Sequence, residues 1–186
     1  MSAIQDTDIR LKDELLYSFN SADNERRYQR ELVIEDSSHP ASIFGLIVSG
    51  IPRLIVGAPG GATIIGEHTL IRAGDDVLIA IGSYVCSYSL VRFELNWYLE
   101  VDQATCFGIF FSPIHEAYLS HGELSVTRFD LSGQILWQSD GADILTEGFC
   151  LMPECIEVID FNEKLYQFDY NEGRSLPAEQ GGETDG

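Results

Sequence analysis

The chain is poor in lysine and in long apolar runs, and these shortages limit what it can bind. Lys12 and Lys164 are its only lysines, and 11 basic residues face 30 acidic ones, for a formal net charge of −19 over 186 residues. Such a field repels nucleic acid and anionic membranes, whereas it attracts basic partners. The longest apolar stretches, such as residues 77–81, fall well short of the ~20 residues that a membrane-spanning helix needs. The composition argues against nucleic acid and membrane as partners. It leaves two interpretations open: the carboxylates only keep the protein soluble, or they attract a basic protein partner.

Cofactor and metal signatures are also missing. His115 and His121 are six residues apart, which along one strand separates them by roughly 20 Å at about 3.3 Å per residue, too far to bind one ion. The first residues lack the basic and apolar segments of a secretory signal. We therefore expect no metal, no cofactor, a cytoplasmic location and reduced cysteines in the core. No Cys-x-x-Cys pair or zinc spacing occurs among the four cysteines, which are Cys86, Cys106, Cys150 and Cys155.

A glycine-rich run at residues 57–63 raises the question of a phosphate site. The run lacks the Gly-Lys-Ser/Thr sequence that supplies the lysine and the magnesium-binding hydroxyl of a P-loop. It also lacks a dinucleotide fingerprint and a following helix whose amide groups could bind a phosphate. The run is therefore predicted to be a tight turn between two apolar strands.

The remaining signal is an internal repeat of about 40 residues. Gly82 precedes Trp97 by the same interval that separates Gly122 from Trp137, and similar apolar runs precede both glycines. Phe161 occupies the equivalent position in a third unit. Each unit contains alternating runs joined by polar turns, which is the pattern of strand pairs. Such a period is typical of β-propeller blades, because one small sheet cannot bury both of its faces without neighbours.

The run Phe129-Asp-x-x-Gly133-x-x-x-Trp137 resembles the blades of quinoprotein-type propellers, in which a turn glycine is followed by a tryptophan. The resemblance covers residues 76–176 and implies a propeller fold. The third unit departs from it, with one more residue before Gly173 and with Leu176 where the tryptophan would be. A quinone cofactor is not implied, since the ligand-binding residues of that family have no counterparts here.

We thus predict an all-β protein of antiparallel hairpin repeats of about 40 residues, propeller-like, with a β-sandwich as the alternative. Residues 1–176 are predicted to form a single β domain, in which the first 75 residues supply a divergent blade or a closing sheet. Residues 177–186 are predicted to be a disordered acidic tail, because they have nothing to bury.

The candidate site is the acidic segment that follows Trp137. Asp140, Asp143 and Glu147 lie in a turn-rich stretch without the calcium-loop spacing. We expect them to bind a protein partner and expect no catalytic residue. The chain is similar in type and size to small acidic bacterial immunity proteins, which implies a non-enzymatic inhibitor that docks on a basic toxin. Two alternatives stay open: a carboxylate-based hydrolase or lyase that uses these three residues, and a scaffold subunit of a larger assembly.

Overall fold

A computed structural model describes residues 7–177 and places fifteen short strands in four small sheets. Sheet 1 has the strand order β1-β3-β4-β2, sheet 2 β5-β6-β7-β8, sheet 3 β12-β11-β10-β9 and sheet 4 β13-β14-β15. The strands are β1 (Ile9–Asp13), β2 (Arg30–Val33), β3 (Ser42–Val48), β4 (Ile51–Ala58), β5 (Leu70–Ala73), β6 (Asp76–Ile81), β7 (Tyr84–Ser89), β8 (Glu94–Glu100), β9 (Cys106–Ser112), β10 (Ala117–Gly122), β11 (Ser125–Phe129), β12 (Ile135–Asp140), β13 (Gly148–Leu151), β14 (Ile156–Ile159) and β15 (Leu165–Phe168).

Sheets 2, 3 and 4 are antiparallel and share one plan, which confirms the predicted all-β repeat. Gly82, Gly122 and Phe161 each lie where the second strand of a sheet turns into the third. The apolar run in β6 shows why these strands form: Val77 and Ile79 face sheet 1, whereas Leu78 faces sheet 3. Because successive side chains point to opposite faces, one continuous apolar strand contributes core residues to the contacts with both neighbouring sheets.

Sheet 1 is the divergent unit. Its strands β1, β3 and β4 are antiparallel, but β2 pairs with β4 in parallel, so the sheet is not built from hairpins alone. The chain reaches β2 through residues 14–29, which cross from β1 at one edge of the sheet to β2 at the other and are longer than a hairpin turn. The chain forms four small sheets and not the two of the alternative β-sandwich.

The sheets stack in chain order. One apolar cluster joins sheets 1 and 2, a second joins sheets 2 and 3, and a third joins sheets 3 and 4. Within residues 7–177, no hydrogen bond, salt bridge or apolar cluster joins sheet 1 to sheet 4, so the stack is open. Each buried leucine or isoleucine contributes about 1.5–3 kcal/mol, which makes the three seams the main source of stability.

Two seams are closed by the tryptophans at the repeat positions. The Trp97 indole of sheet 2 donates a hydrogen bond to the Leu131 carbonyl of sheet 3 at 2.9 Å. The Trp137 indole of sheet 3 donates to the Tyr170 carbonyl, which follows β15, also at 2.9 Å. Each indole ring packs on a turn of the following sheet. Both tryptophans are therefore packing residues between sheets.

A glycine lies under each ring. A Cβ on Gly133 would lie 2.8 Å from the nearest Trp97 carbon, and one on Gly173 would lie 2.5 Å from Trp137 Cε3. Gly133 and Gly173 also have positive φ angles of 84° and 68°, which glycine adopts without strain. The glycine of each turn thus leaves the space that the tryptophan of the preceding sheet occupies.

The first seam has a different closure. The Arg53 guanidinium of sheet 1 lies 3.8 Å from the centre of the Phe93 ring in the turn between β7 and β8. A cation over an aromatic face is attracted by the ring's negative face. The divergent first sheet therefore uses an arginine where sheets 2 and 3 use a tryptophan.

The ends of the chain fall largely outside the described residues. Of the acidic tail predicted at 177–186, only Pro177 is described, and it is exposed. The assignment of residues 1–176 to a single domain stays a prediction. Three cysteines are buried as expected, but Cys150 is exposed because its side chain points away from the seam between sheets 3 and 4. Within residues 7–177 there is no helix of the length and apolarity that crossing a membrane requires.

The tryptophan contacts predict a large difference between two glycine substitutions. Gly173→Ala should lower the free energy of unfolding by roughly 2–4 kcal/mol, since it adds a clash with Trp137 to the cost of a positive φ. Gly74→Ala has a φ of 64° but meets no atom within 4 Å, so it should cost only about 1–2 kcal/mol. Urea unfolding measures both; equal losses would show that the tryptophan does not hold the turn.

Candidate functional site

One end of the stack is a continuous platform of loops, here named the loop face. Backbone hydrogen bonds link its segments in order, for example from Ser83 N to Pro59 O, from Glu123 N to Thr105 O and from Phe161 N to Ile144 O. Such links hold loops from all four sheets in fixed relative positions. The segments of the loop face are residues 59–63, 82–83, 101–105, 122–124, 140–147 and 160–164.

Asp102 is the polar centre of this platform. Its side chain is 1% exposed, and its carboxylate accepts five hydrogen bonds. The donors are the backbone amides of Ala104, Thr105, Leu124 and Ser125 and the Ser125 hydroxyl, at 2.6–3.2 Å. A buried carboxylate needs such donors to replace its lost hydration. Asp102 thereby ties the loop that joins sheets 2 and 3 to the β10–β11 hairpin.

The glycine-rich run ends β4 and continues into the same platform as a loop, but it is not the predicted tight turn, because the connection from β4 to β5 spans residues 59–69. Gly61 N donates to Ala104 O at 2.7 Å, and the Thr63 hydroxyl donates to the Gly82 and Cys106 carbonyls at 3.3 and 3.1 Å. These groups are occupied by protein partners, so the run is a structural connection between sheets 1 and 2.

The acidic loop, residues 140–147, is anchored by a buried histidine. His121 is 9% exposed and lies between Phe107 and Phe149, with its Nε2 2.7 Å from the Leu145 carbonyl. Burial lowers the pKa of His121, and the hydrogen bond to Leu145 only partly opposes that shift. The neutral ring therefore donates its Nε2 proton to the loop.

The structure exposes all three carboxylates that the sequence proposed, but it brings only two of them together. Asp140 and Asp143 line a pocket of about 410 Å³ beside Gln138 and Ser125, and Glu147 is not part of its lining. Asp143 is held in place, because its Oδ2 accepts a hydrogen bond from Asn162 Nδ2 at 2.5 Å. Glu147 lies further along the loop, where its carboxylate accepts a hydrogen bond from the Thr146 hydroxyl at 3.2 Å.

Apolar side chains on the same face were missed by the sequence analysis. Phe161 is 62% exposed at the tip of the β14–β15 turn, and Leu124 is 36% exposed beside the pocket. The available signal was a phenylalanine set between Asp160 and Asn162 in a polar turn, where no core can cover it. Exposed aromatic rings are common anchors of protein interfaces.

The charge around this face is strongly one-sided. The segments of the loop face contain seven acidic side chains and one basic side chain, Lys164. Arg128 and Arg174 contact the turn after β15 at the opposite end. A cationic partner approaching Asp140 and Asp143 therefore meets little competing positive charge.

Other chemistry finds little support in the geometry. Within residues 7–177, no group of three or more His, Cys, Asp or Glu side chains could hold a metal ion. The carboxyls with clearly shifted pKa values are Glu14, Asp130, Asp160 and Asp169, and each pKa is lowered. A catalytic acid needs the opposite shift. The hydrolase alternative required Asp140, Asp143 and Glu147 to converge on one pocket, and only the first two do so.

Comparison with known proteins reveals the fold. No protein-family model and no curated protein matches the chain. Among solved structures, the computationally designed Ika4 protein is 12% identical over 65% of this chain and 78% of its own, with a TM-score of 0.51. BamB from Moraxella catarrhalis is 13% identical over 73% of this chain and 43% of its own, with a TM-score of 0.51.

The C-terminal WD40 domain of Sif2 is 10% identical over 74% of this chain and 40% of its own, with a TM-score of 0.57. BamB and the WD40 domain have β-propeller-type folds. The match spans less than half the length of either protein. The likeness therefore shows a propeller-type arrangement of sheets in a shorter chain.

The Asp102 network predicts a costly isosteric substitution. Asp102→Asn puts an NH₂ group against backbone amides that need an acceptor, and it should lower the free energy of unfolding by about 2–4 kcal/mol. Asp130→Asn changes a carboxylate that serves only its own turn, and it should cost about 1 kcal/mol or less. Equal losses in urea unfolding would contradict a special role for Asp102.

The lowered pKa of His121 predicts that the free energy of unfolding decreases between about pH 7.5 and 5.5. Because the pKa of His121 is lower in the folded than in the unfolded state, the unfolded chain binds the proton first, and stability falls as the pH drops below the ordinary histidine range of about 6.5. His121→Gln should flatten this fall in thermal unfolding scans. The exposed His39→Gln should leave it unchanged, and an unaltered slope in His121→Gln would contradict the assignment.

Proposed function

We propose that this protein is a non-enzymatic binding domain whose loop face docks on a basic protein. The observation that carries the proposal is the joint exposure of Asp140, Asp143 and Phe161 on loops that the backbone holds rigidly. An interface needs an apolar anchor surrounded by polar contacts, and this face offers both. Glu147 extends the negative charge toward sheet 4.

Rigidity supports binding because ordering loops costs free energy when a partner arrives. Here the cost is low: the Asp143 carboxylate is already held by Asn162, and the His121 ring holds Leu145. The long-range negative field accelerates encounter with a basic partner and makes association sensitive to salt.

The partner class we favour is a basic toxin or nuclease, with this chain as its immunity-type inhibitor in the cytoplasm. The small size and the charge of −19 support that choice, since an acidic inhibitor can cover a basic active site. A scaffold role in a larger assembly would use the same face. The packing of Trp97 and Trp137 on turns of the next sheet also supports the resemblance of residues 76–176 to quinoprotein-type blades. We propose no quinone cofactor.

The test is an isosteric neutralisation of the face. Affinity capture from the native host, quantified by mass spectrometry at low and high salt, should recover a basic protein with the wild type. Asp140→Asn, Asp143→Asn and Glu147→Gln together should reduce its recovery about tenfold, because three charges that attract it are gone.

A matched control removes the same charge at the opposite end of the stack. Asp75→Asn, Glu154→Gln and Glu172→Gln are substitutions of exposed residues and should leave recovery unchanged. Equal recovery with both triple variants, or recovery of acidic proteins alone, would contradict the proposed face.

A further inference from the structure

The outer face of sheet 1 is covered by a segment of the chain itself. Residues 14–29, here named the strap, connect β1 to β2 and contain no strand or helix. The strap lies on the face of sheet 1 that is turned away from sheet 2. Its three aromatic side chains pack against three isoleucines of that face; the residues are Tyr17, Phe19 and Tyr28 of the strap and Ile43, Ile47 and Ile55 of the sheet.

The face is shaped to accept the strap. A Cβ on Gly45 would lie 1.8 Å from the Tyr28 hydroxyl oxygen, and one on Gly57 would lie 2.8 Å from the Phe19 ring. Only glycine at these positions lets the two rings approach the backbone of the sheet this closely. Glycine within a strand marks such close approach.

Side chains hold the middle of the strap, and backbone bonds hold its ends. Within residues 7–177, backbone bonds between strap and sheet 1 are those from Glu14 N to Ile43 O and from Gln29 N to Pro52 O. Between these ends, the Glu14 carboxylate accepts a hydrogen bond from Tyr28 at 2.8 Å and pairs with Arg26. A segment held in this way can detach without breaking the sheet's ladder.

A second carboxylate clasps the other side of the strap. Glu31 of β2 accepts a hydrogen bond from the Tyr17 hydroxyl and another from Asn20 N, both at 2.7 Å. Glu14 and Glu31 thus fix the Tyr28 and Tyr17 rings over the isoleucines, and Phe19 packs edge-on against Tyr17. The strap ends the stack on this side.

At the other end of the stack, no segment among residues 7–177 covers the outer face of sheet 4 in this way. The outer face of sheet 4 has an apolar row of Gly148, Ile159 and Leu165, paired across the three strands, and Leu165 is 48% exposed. The neighbouring row is polar, where Gln167 donates to Glu157 at 2.8 Å. Within the described part of the chain, the outer face of sheet 1 is therefore covered and the outer face of sheet 4 is not.

We propose that the strap is an end cap that prevents a second copy of this chain from stacking on sheet 1. Every internal seam is formed by one sheet face that packs on the next, and the strap fills the place of a preceding sheet. The face that fits this place is the uncovered face of sheet 4 in another copy. Such a contact joins two different surfaces, so it propagates or closes into a ring unless it is blocked. The proposal does not depend on the proposed function.

The test replaces the three aromatic residues of the strap by alanine and measures self-association by sedimentation. Wild-type protein should sediment as a monomer, whereas Tyr17→Ala, Phe19→Ala and Tyr28→Ala together should produce concentration-dependent association. Adding Leu165→Glu on sheet 4 should restore the monomer. Adding Ile114→Glu should not, because Ile114 is 71% exposed in the turn between β9 and β10 of sheet 3 and lies outside both faces.

A milder variant keeps the test decisive. Glu14→Gln with Glu31→Gln should speed amide exchange in the strap while that in β6 and β7 stays protected. A folded monomer after removal of the rings would overturn the proposal, as would association that Leu165→Glu leaves unchanged. Global unfolding of either variant would also overturn it, because the strap would then be part of the core.

Discussion

The whole structure depends on one constraint: a sheet of three or four short strands has two apolar faces and can bury neither by itself. Stacking satisfies the constraint, because a strand such as β6 sends alternate side chains into two seams. Hydrogen bonds from Trp97 and Trp137 to a turn of the next sheet then tie neighbouring sheets together. Every seam joins sheets that are neighbours in sequence, so each sheet depends mainly on the sheets directly before and after it.

Position in the stack also decides where recognition can occur. Apart from the outer face of sheet 4, the faces of the sheets are covered by packing, so most of the exposed side chains come from the loops at the two ends of the strands. At the loop face, the buried side chains of Asp102 and His121 form hydrogen bonds to the backbone of the loops and hold them in place. A fixed arrangement of Asp140, Asp143 and Phe161 is what binding to a partner would require.

The parts of this architecture that repeat in sequence were predictable, and the parts that arise from distant contacts were not. The interval between Gly122 and Trp137 fixed the hairpin positions, because turn chemistry and alternation are local properties. The parallel pairing of β2 and the Arg53–Phe93 contact depend on residues about 20 to 40 positions apart, which no local pattern reports. The acidic loop was identified from composition, yet its pocket and the exposed Phe161 required the fold.

The most direct test of the central claim is site-specific photocrosslinking in the native host. A photoreactive phenylalanine analogue at Phe161 should crosslink to a basic protein, in amounts that decrease as salt increases. The same analogue at Ile114, which is 71% exposed at the opposite end of the stack, should give no such adduct. Crosslinking from Ile114 alone, or none from either position while the protein is folded, would contradict recognition through the loop face.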